Sequence, residues 1–202
     1  MSRVVGLEYV SLDGVIQAPG DPHEDPEGFS HGGWTRPFFD DHRRYIGDAF
    51  RAAGAFLFGR ITYEIFARYW PTVTAEDDDI ARALNTLPKY VASRTLTDPP
   101  WRPTTVLSGE LTEEVARLKH LPGKDVVVVG SGELAQTLIG HDLVDQYQLW
   151  IHPIVLGSGK RLFRGLETPA PMRLVDSRTT AQGLVILTCE RIRPRRADAA
   201  AA

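Results

Sequence analysis

Three places in this sequence set a glycine, a hydroxyl or an arginine at the end of a short apolar run, and each could hold a phosphate. The first is Val126-Val-Val-Val-Gly130-Ser131-Gly132-Glu133-Leu134. A buried strand that passes through glycine into a helix leaves the N–H groups of the first helical turn free for an anion, and glycine lets a phosphate approach the backbone. The third glycine of the dinucleotide fingerprint is missing, so the same residues also read as a plain tight turn. The second place, Ala55-Phe-Leu-Phe-Gly59-Arg60-Ile61-Thr62-Tyr63-Glu64, adds a cation and a hydroxyl suited to a phosphate or diphosphate. The third, Tyr90-Val-Ala-Ser93-Arg94-Thr95, flanks an arginine with hydroxyls. Either arginine on its own reads first as a solvated surface charge. Three such strand ends together carry more, because ligands of open α/β sheets bind outside the carboxyl ends of the strands.

A fourth segment, Tyr9-Val10-Ser11-Leu12-Asp13-Gly14-Val15-Ile16, leads into a polar loop that runs to about Gly33. Connections of that length in compact domains are functional lids or disordered inserts. His23, Glu24, Asp25 and His31 invite a metal reading, but their spacing fits no ligand template, so no metal is expected. Other chemistries find little support. Cys189, the only cysteine, alternates with apolar residues and reads as core packing. Neither a Gly-x-Ser-x-Gly elbow nor a phosphate-loop Gly-Lys-Ser/Thr occurs, and Asp77-Asp78-Asp79 reads as the acidic first turn of a helix. The pattern favours binding a phosphorylated cofactor over hydrolysis.

The elements that must position these residues are short. Runs rich in branched and aromatic residues predict strands near 3–10, 55–58, 89–92, 105–107, 126–129, 146–152, 173–177 and 184–191. The all-valine run is apolar on both faces, as in a central parallel strand covered by helices. The last three strands follow one another through loops alone and point to an antiparallel region. Helices are predicted over 37–52, 61–69, 76–85, 112–120 and 132–140. The first puts Phe38, Phe39, Tyr45, Ile46 and Phe50 at spacings compatible with one apolar face, and the fourth has Thr112 as its expected N-cap. Strands and helices alternate before a β-β-β close, which indicates a three-layer α/β domain around a mixed sheet.

Composition sets the outer limits. The 202 residues fit one domain, here 1–192, with the Arg-rich and Ala-rich 193–202 reading as a frayed tail. A net charge of -3 gives no basic excess for nucleic acid or an anionic membrane. No apolar run approaches the roughly 20 residues of a membrane helix. The N-terminus lacks a signal peptide's apolar core, so a cytoplasmic location is the expectation.

The chain resembles the dihydrofolate reductase superfamily, especially the branch containing the C-terminal reductase domain of the bifunctional riboflavin biosynthesis protein. Val10-Ser-Leu-Asp-Gly-Val-Ile16, Phe58-Gly-Arg-Ile-Thr-Tyr-Glu64, Val91-Ala-Ser-Arg-Thr95, Val129-Gly-Ser-Gly-Glu-Leu134 and Pro153-Ile-Val-Leu-Gly-Ser-Gly-Lys-Arg-Leu-Phe163 carry the resemblance, in the family's order and across nearly the whole chain. It implies a mixed, mainly parallel eight-stranded sheet with NADPH across its strand ends. By the same resemblance, Gly59, Arg60, Ile61 and Thr62 grip the cofactor phosphates, and Ser93 and Arg94 hold the adenosine ribose and its 2′-phosphate. Gly130, Ser131, Gly132, Glu133 and Leu134 contact the diphosphate, while Ile16 and the backbone around Tyr9 border the nicotinamide. The implied reaction is hydride transfer to a carbon–nitrogen or carbonyl double bond of a small planar heterocycle, a pterin, aminouracil or relative. Asp13, Trp34, Phe38, Phe39 and Asp40 are the pocket residues by position, with Asp13, Trp34 and Asp40 expected to be catalytic. Asp40 or Asp41 lies near the place of the pterin-binding carboxylate of true dihydrofolate reductase, but the intervening residues do not match. Lys160 or Arg161 could take a substrate phosphate or simply form a basic hairpin edge. A homodimer is implied by the same resemblance. A nucleotide-binding sensor without turnover and a binder of another mononucleotide, such as a flavin, are the competing readings.

Overall fold

The computed structural model describes residues 1–25, 27–74, 78–166 and 168–192. Its strands are β1 (Val4–Ser11), β2 (Ala53–Gly59), β3 (Lys89–Ala92), β4 (Thr104–Leu107), β5 (Asp125–Val129), β6 (Gln146–His152), β7 (Met172–Thr179) and β8 (Val185–Arg191). They form one eight-stranded sheet in the order β4-β3-β2-β5-β1-β6-β8-β7. Pairing is parallel from β4 through to β6; only β8 runs against its neighbours. The expected mixed, mainly parallel sheet with an antiparallel margin is therefore present.

The helices are α1 (Phe39–Ala52), α2 (Arg60–Tyr69), α3 (Asp79–Thr86), α4 (Leu111–His120) and α5 (Gly132–Gly140). Strand alternation sorts the core into two sides. Phe56 and Phe58 of β2 and Val127 and Val129 of β5 pack with Ile46 and Phe50 of α1, Tyr63 of α2, and Ile80 and Leu84 of α3. Their neighbours Ala55, Leu57, Val126 and Val128 pack on the other side with Val115 and Leu118 of α4 and Leu134 and Leu138 of α5. Burial of both faces explains why the valine run shows no polar alternation.

Two helix starts matter for the sequence reading. Asp78 caps α3, its Oδ1 accepting from the N–H groups of Ile80 and Ala81 at 2.8 and 3.1 Å. The start of this helix expected at residue 76, like Asp77 of the acidic triplet, lies outside the described residues. For α4 the N-cap is Glu110, not Thr112, and no side chain caps it. Leu111 packs against the core on the α4–α5 side, and this apolar contact starts the helix ahead of the better capping residue. No helix among the described residues is long and apolar enough to cross a membrane.

Candidate active site

The carboxyl ends of β1, β2 and β5 open into a cleft of about 1050 Å³, bordered also by α1, α2, the start of α5 and the loop after β1. Sheet order creates it. After β1 the chain leaves for β2, and β5 later returns between the two, so connections depart in opposite directions at this point of the sheet.

On the β2–β5 side the cleft wall is largely backbone. Gly130 has φ +55° and Ser131 φ +67°, so two successive residues take the left-handed conformation before α5 begins. The Ser131 hydroxyl accepts a hydrogen bond from the Gly59 N–H at 2.8 Å, tying the end of β2 to the start of α5. A Cβ on Gly59 would come within 3.3 Å of the Ser131 Cβ, and one on Gly132 within 3.2 Å of the Ile16 side chain. Both glycines thus permit close approaches that another residue would disturb. The N–H groups of the first turn of α5 have no intrahelical acceptor and sit at the cleft, where helix geometry favours an anion. Arg60 bridges two strand ends: its Nη1 donates to Thr95 Oγ1 at 2.6 Å while its Nε lies 3.1 Å from Glu64 Oε1.

On the β1–α1 side the wall is made of side chains, with His42 lining the cleft and β6 behind it. His42 Nε2 lies 2.7 Å from His152 Nε2, and both rings are buried. His152 Nδ1 faces the carbonyl oxygens of Trp150 and Val10 at 2.8 and 3.3 Å. A carbonyl only accepts, so this nitrogen carries the proton. In the neutral ring His152 Nε2 is then the acceptor, and His42 donates to it through Nε2. Burial, then the neighbouring ring, pushes His42 down to about 4, and burial pushes His152 to about 4 as well. Tyr9 stacks on His42 with centroids 4.4 Å apart. Its phenol is pushed up by burial.

Glu8 stands between Leu7 and Tyr9 in the central strand and lines the cleft. Its side chain is 3% exposed, and its Oε1 has no hydrogen-bond partner. Burial alone pushes its carboxyl up to about 8. Desolvation disfavours the charged form, so the group is largely a neutral acid at pH 7.

Of the residues singled out in the sequence, Tyr9, Ile16, Gly59, Arg60, Ile61, Thr62, Gly130, Ser131, Gly132, Glu133 and Leu134 line this one cleft. Ser93 and Arg94 follow the cleft-lining Ala92 without lining it themselves; Ser93 Oγ accepts from the N–H groups of Thr95 and Leu96, and Arg94 is exposed. Asp13, Trp34 and Asp40 are not among the lining residues. Asp13 accepts from Ser11 Oγ at 2.7 Å and from the N–H groups of Leu156 and Gly157 at 3.1 and 2.9 Å, bonds that hold its carboxyl down to about 2. Trp34 Nε1 donates to the Gln17 carbonyl at 2.9 Å, and the ring meets His152 edge-on. Asp40 is exposed beside Phe39, which does line the cleft. Phe39 is 54% exposed and so stands apart from the buried stripe of α1 to which its spacing assigned it. Asp41 turns away to accept from the Gln182 N–H at 2.8 Å.

The loop after β1 is held as a wall: Gly33 and Thr35 donate from their backbones to the Ala18 and Pro19 carbonyls at 2.8 and 3.1 Å. Lys160 lines the cleft and pairs with Glu27, whereas Arg161 Nε donates to the Asp13 carbonyl. Among the described residues no group of acidic, cysteine or histidine side chains could hold a metal ion. Glu8, His42 and His152 escaped the sequence reading. A lone carboxylate in an otherwise apolar central strand was the one available signal, since the histidines are 110 residues apart.

Residues 4–186 match the model of the RibD C-terminal domain family. Two uncharacterized Bacillus subtilis (strain 168) proteins are similar in sequence. YyaP is 35% identical over 133 residues, which are 64% of this chain and 69% of YyaP. YwjB is 25% identical over 175 residues, 87% of this chain and 90% of YwjB. Among solved structures, a Shewanella sp. PV-4 protein provisionally assigned to riboflavin biosynthesis gives a TM-score of 0.66 at 20% identity, over 95% of this chain and 99% of that one. The Thermotoga maritima diaminohydroxyphosphoribosylaminopyrimidine deaminase/5-amino-6-(5-phosphoribosylamino)uracil reductase gives 0.61 at 13% identity, over 95% of this chain and 57% of that one. Acinetobacter baumannii RibD gives 0.56 at 17% identity, over 96% and 59%. These likenesses are of fold.

Proposed function

The chain belongs to the RibD C-terminal domain family, within the dihydrofolate reductase-like superfamily, and from that premise we propose an NADPH-dependent reductase of a small planar heterocycle such as a pterin or aminouracil. The observation that carries the reading is the cleft itself. It joins a backbone anion site at α5, a bridging arginine at α2 and an apolar hollow beside β1. The residues fit an extended dinucleotide: Gly59 and Gly132 let the turn pack closely on Ser131 and Ile16, which keeps main chain at the cleft surface, and α5 offers unsatisfied N–H groups.

When bound, NADPH supplies the hydride. Gly130 to Leu134 hold its diphosphate, Arg60 and Thr62 its neighbouring phosphate oxygens, and Ser93 and Arg94 the adenosine ribose and 2′-phosphate. Ile16 and the Tyr9 backbone border the ring, while the loop from Gln17 to Asp25 excludes water from it. Trp34 acts through that loop by holding the Gln17 carbonyl at its start, and Asp13 by tying the turn before it to the Leu156 and Gly157 N–H groups. The heterocycle lies against Phe39, Ile46 and Phe50, which line the apolar end. A second copy of the chain would cover β7, an edge strand with Leu174 and Val175 exposed, and the reading places the protein in the cytoplasm.

A nucleotide sensor without turnover is the second reading, favoured by the position of Asp13, Trp34 and Asp40 outside the cleft lining. Calorimetric titration with NADPH and with NADH tests the cofactor, and loss of NADPH absorbance with pterins and aminouracils tests turnover. Clear NADPH preference with oxidation on a heterocycle supports the reductase. Tight binding without oxidation favours the sensor, and no binding to folded protein removes both.

A further inference from the structure

Central strands of a parallel sheet are the driest part of a fold, and a carboxyl there needs partners. Glu8 lies mid-strand in β1, one residue past the last β5 pair, Leu7 with Val129, and opposite Leu149 of β6. Strand alternation sends it to the face that carries Val10, away from Leu7 and Tyr9, toward the side covered by α5. The side chain is 97% withdrawn from solvent by its 3% exposure, and Oε1 has no partner. A buried polar atom left unpaired costs on the order of 1–3 kcal/mol, and the residue that carries this one lines the cleft, so a partner from outside the protein would relieve it. The cations on the same cleft are engaged elsewhere, Arg43 with Asp78, Arg60 with Glu64 and Lys160 with Glu27, and its acids Asp21, Glu24, Asp25 and Glu133 offer no counter-charge.

We propose that the Glu8 carboxyl is the recognition group of the cleft for an amide edge, the carboxamide of a bound nicotinamide, on the face of β1 where Ile16 packs with Val10. The inference rests on the cofactor reading above. A carboxylic acid presents one donor and one acceptor side by side in a plane, and an amide presents the complementary pair, so two hydrogen bonds close a ring between them. Burial keeps the acid neutral, at about 8, and therefore able to donate. A carboxylate could only accept, and would favour a cationic ligand instead.

The test compares wild type, Glu8→Gln and Glu8→Leu in calorimetric titrations with three probes: NADPH, its 3-acetylpyridine analogue with a methyl ketone in place of the carboxamide, and lumazine as a free lactam. Gln keeps a donor and an acceptor, so Glu8→Gln should bind within about threefold of wild type. Leu keeps the shape and deletes the orphan atom, so the variant should fold and melt no lower than wild type, while losing about tenfold in affinity for the probe that uses Glu8. Loss for NADPH but not for the methyl ketone assigns the cofactor carboxamide. Loss for lumazine alone would overturn the assignment to the cofactor. If Glu8→Leu binds all three probes as wild type does, the inference is overturned and the cofactor reading survives. If wild type does not bind NADPH, both fall together. Without any ligand, infrared spectra at pH 6.5 should contain a carboxylic acid carbonyl band that Glu8→Gln lacks; its absence from wild type would remove the neutral donor.

Discussion

The two walls of the cleft use opposite physical means. Along β2 and β5 the wall is main chain: left-handed residues at Gly130 and Ser131, glycines at close approaches, and open N–H groups at α5, all suited to negative charge. Along β1 and α1 it is buried side chains whose ionisation is suppressed: His42 lines the cleft with His152 behind it, both pushed down, and Glu8, on the opposite face of β1, is pushed up. One wall attracts an anion from water, whereas the other holds polar groups neutral where water is excluded. The difference matches a ligand with a phosphorylated end and an uncharged planar end.

The largest effect should come from acidifying the neutral wall. The histidines sit at about 4 in the folded chain against an ordinary 6.5, so the unfolded chain takes up protons first as pH falls. Stability from the pair is full above about pH 7 and is lost between 6.5 and 4, on the order of 3 kcal/mol per ring. Glu8 works in the other direction. Its folded value of about 8 exceeds the ordinary 4.5, so its contribution is present below 4.5 and fades as pH rises to 8. The urea midpoint should therefore peak near pH 6.5 and fall on both sides. In Glu8→Gln the alkaline decline should vanish and the acid limb steepen. An acid limb unchanged in a folded His42→Gln variant would show that the pair is not its source.

The anion wall should break more locally. At Gly130 an added Cβ meets nothing nearer than Thr62 at 3.8 Å, so the cost of Gly130→Val is conformational: φ is +55°. Placing a β-branched residue there costs at least about 1–2 kcal/mol. NADPH affinity should fall about tenfold or more as the turn shifts, with the acid limb of the urea curve unaltered. Unchanged affinity in a folded variant would reject the diphosphate site at this turn.

These walls also differ in how far the sequence exposes them. A backbone site needs glycines beside a strand end, and Gly59 and Gly130-Ser131-Gly132 are contiguous, so their spacing can be read directly. The sheet is legible for a similar reason: β3, β6 and α5 have the bounds that local pattern alone assigns them. A side-chain site is assembled by the fold. His42 and His152 meet only because β6 pairs with β1 while α1 packs over that face. Asp13 and Trp34 show the converse. Their types and position suggest chemistry, yet one is saturated by the Leu156 and Gly157 N–H groups and the other by the Gln17 carbonyl. Thr112 lost its capping role to a contact no local rule contains, the packing of Leu111.

The smallest effect separates two arginines, Arg60 on the anion wall and Arg94 on the turn after β3. Arg60 is already engaged, to Thr95 and Glu64, and ties the α2 turn to the turn after β3. Arg94 is exposed on that second turn, and the proposed reading sets the 2′-phosphate beside it. Arg94→Ala should weaken NADPH about tenfold at low salt, the scale of one charge-assisted hydrogen bond, and leave NADH unchanged. The difference should shrink as salt is added, because the contact is solvent-exposed. Arg60→Ala should instead weaken both cofactors, since on the proposed reading both nucleotides lie against the two turns it links. Equal losses for NADPH and NADH in Arg94→Ala would take the 2′-phosphate away from Arg94 and leave Arg60 as its holder. Titrating both variants with both nucleotides at two salt concentrations thus decides whether cofactor choice is read by a free surface charge or by one built into the cleft.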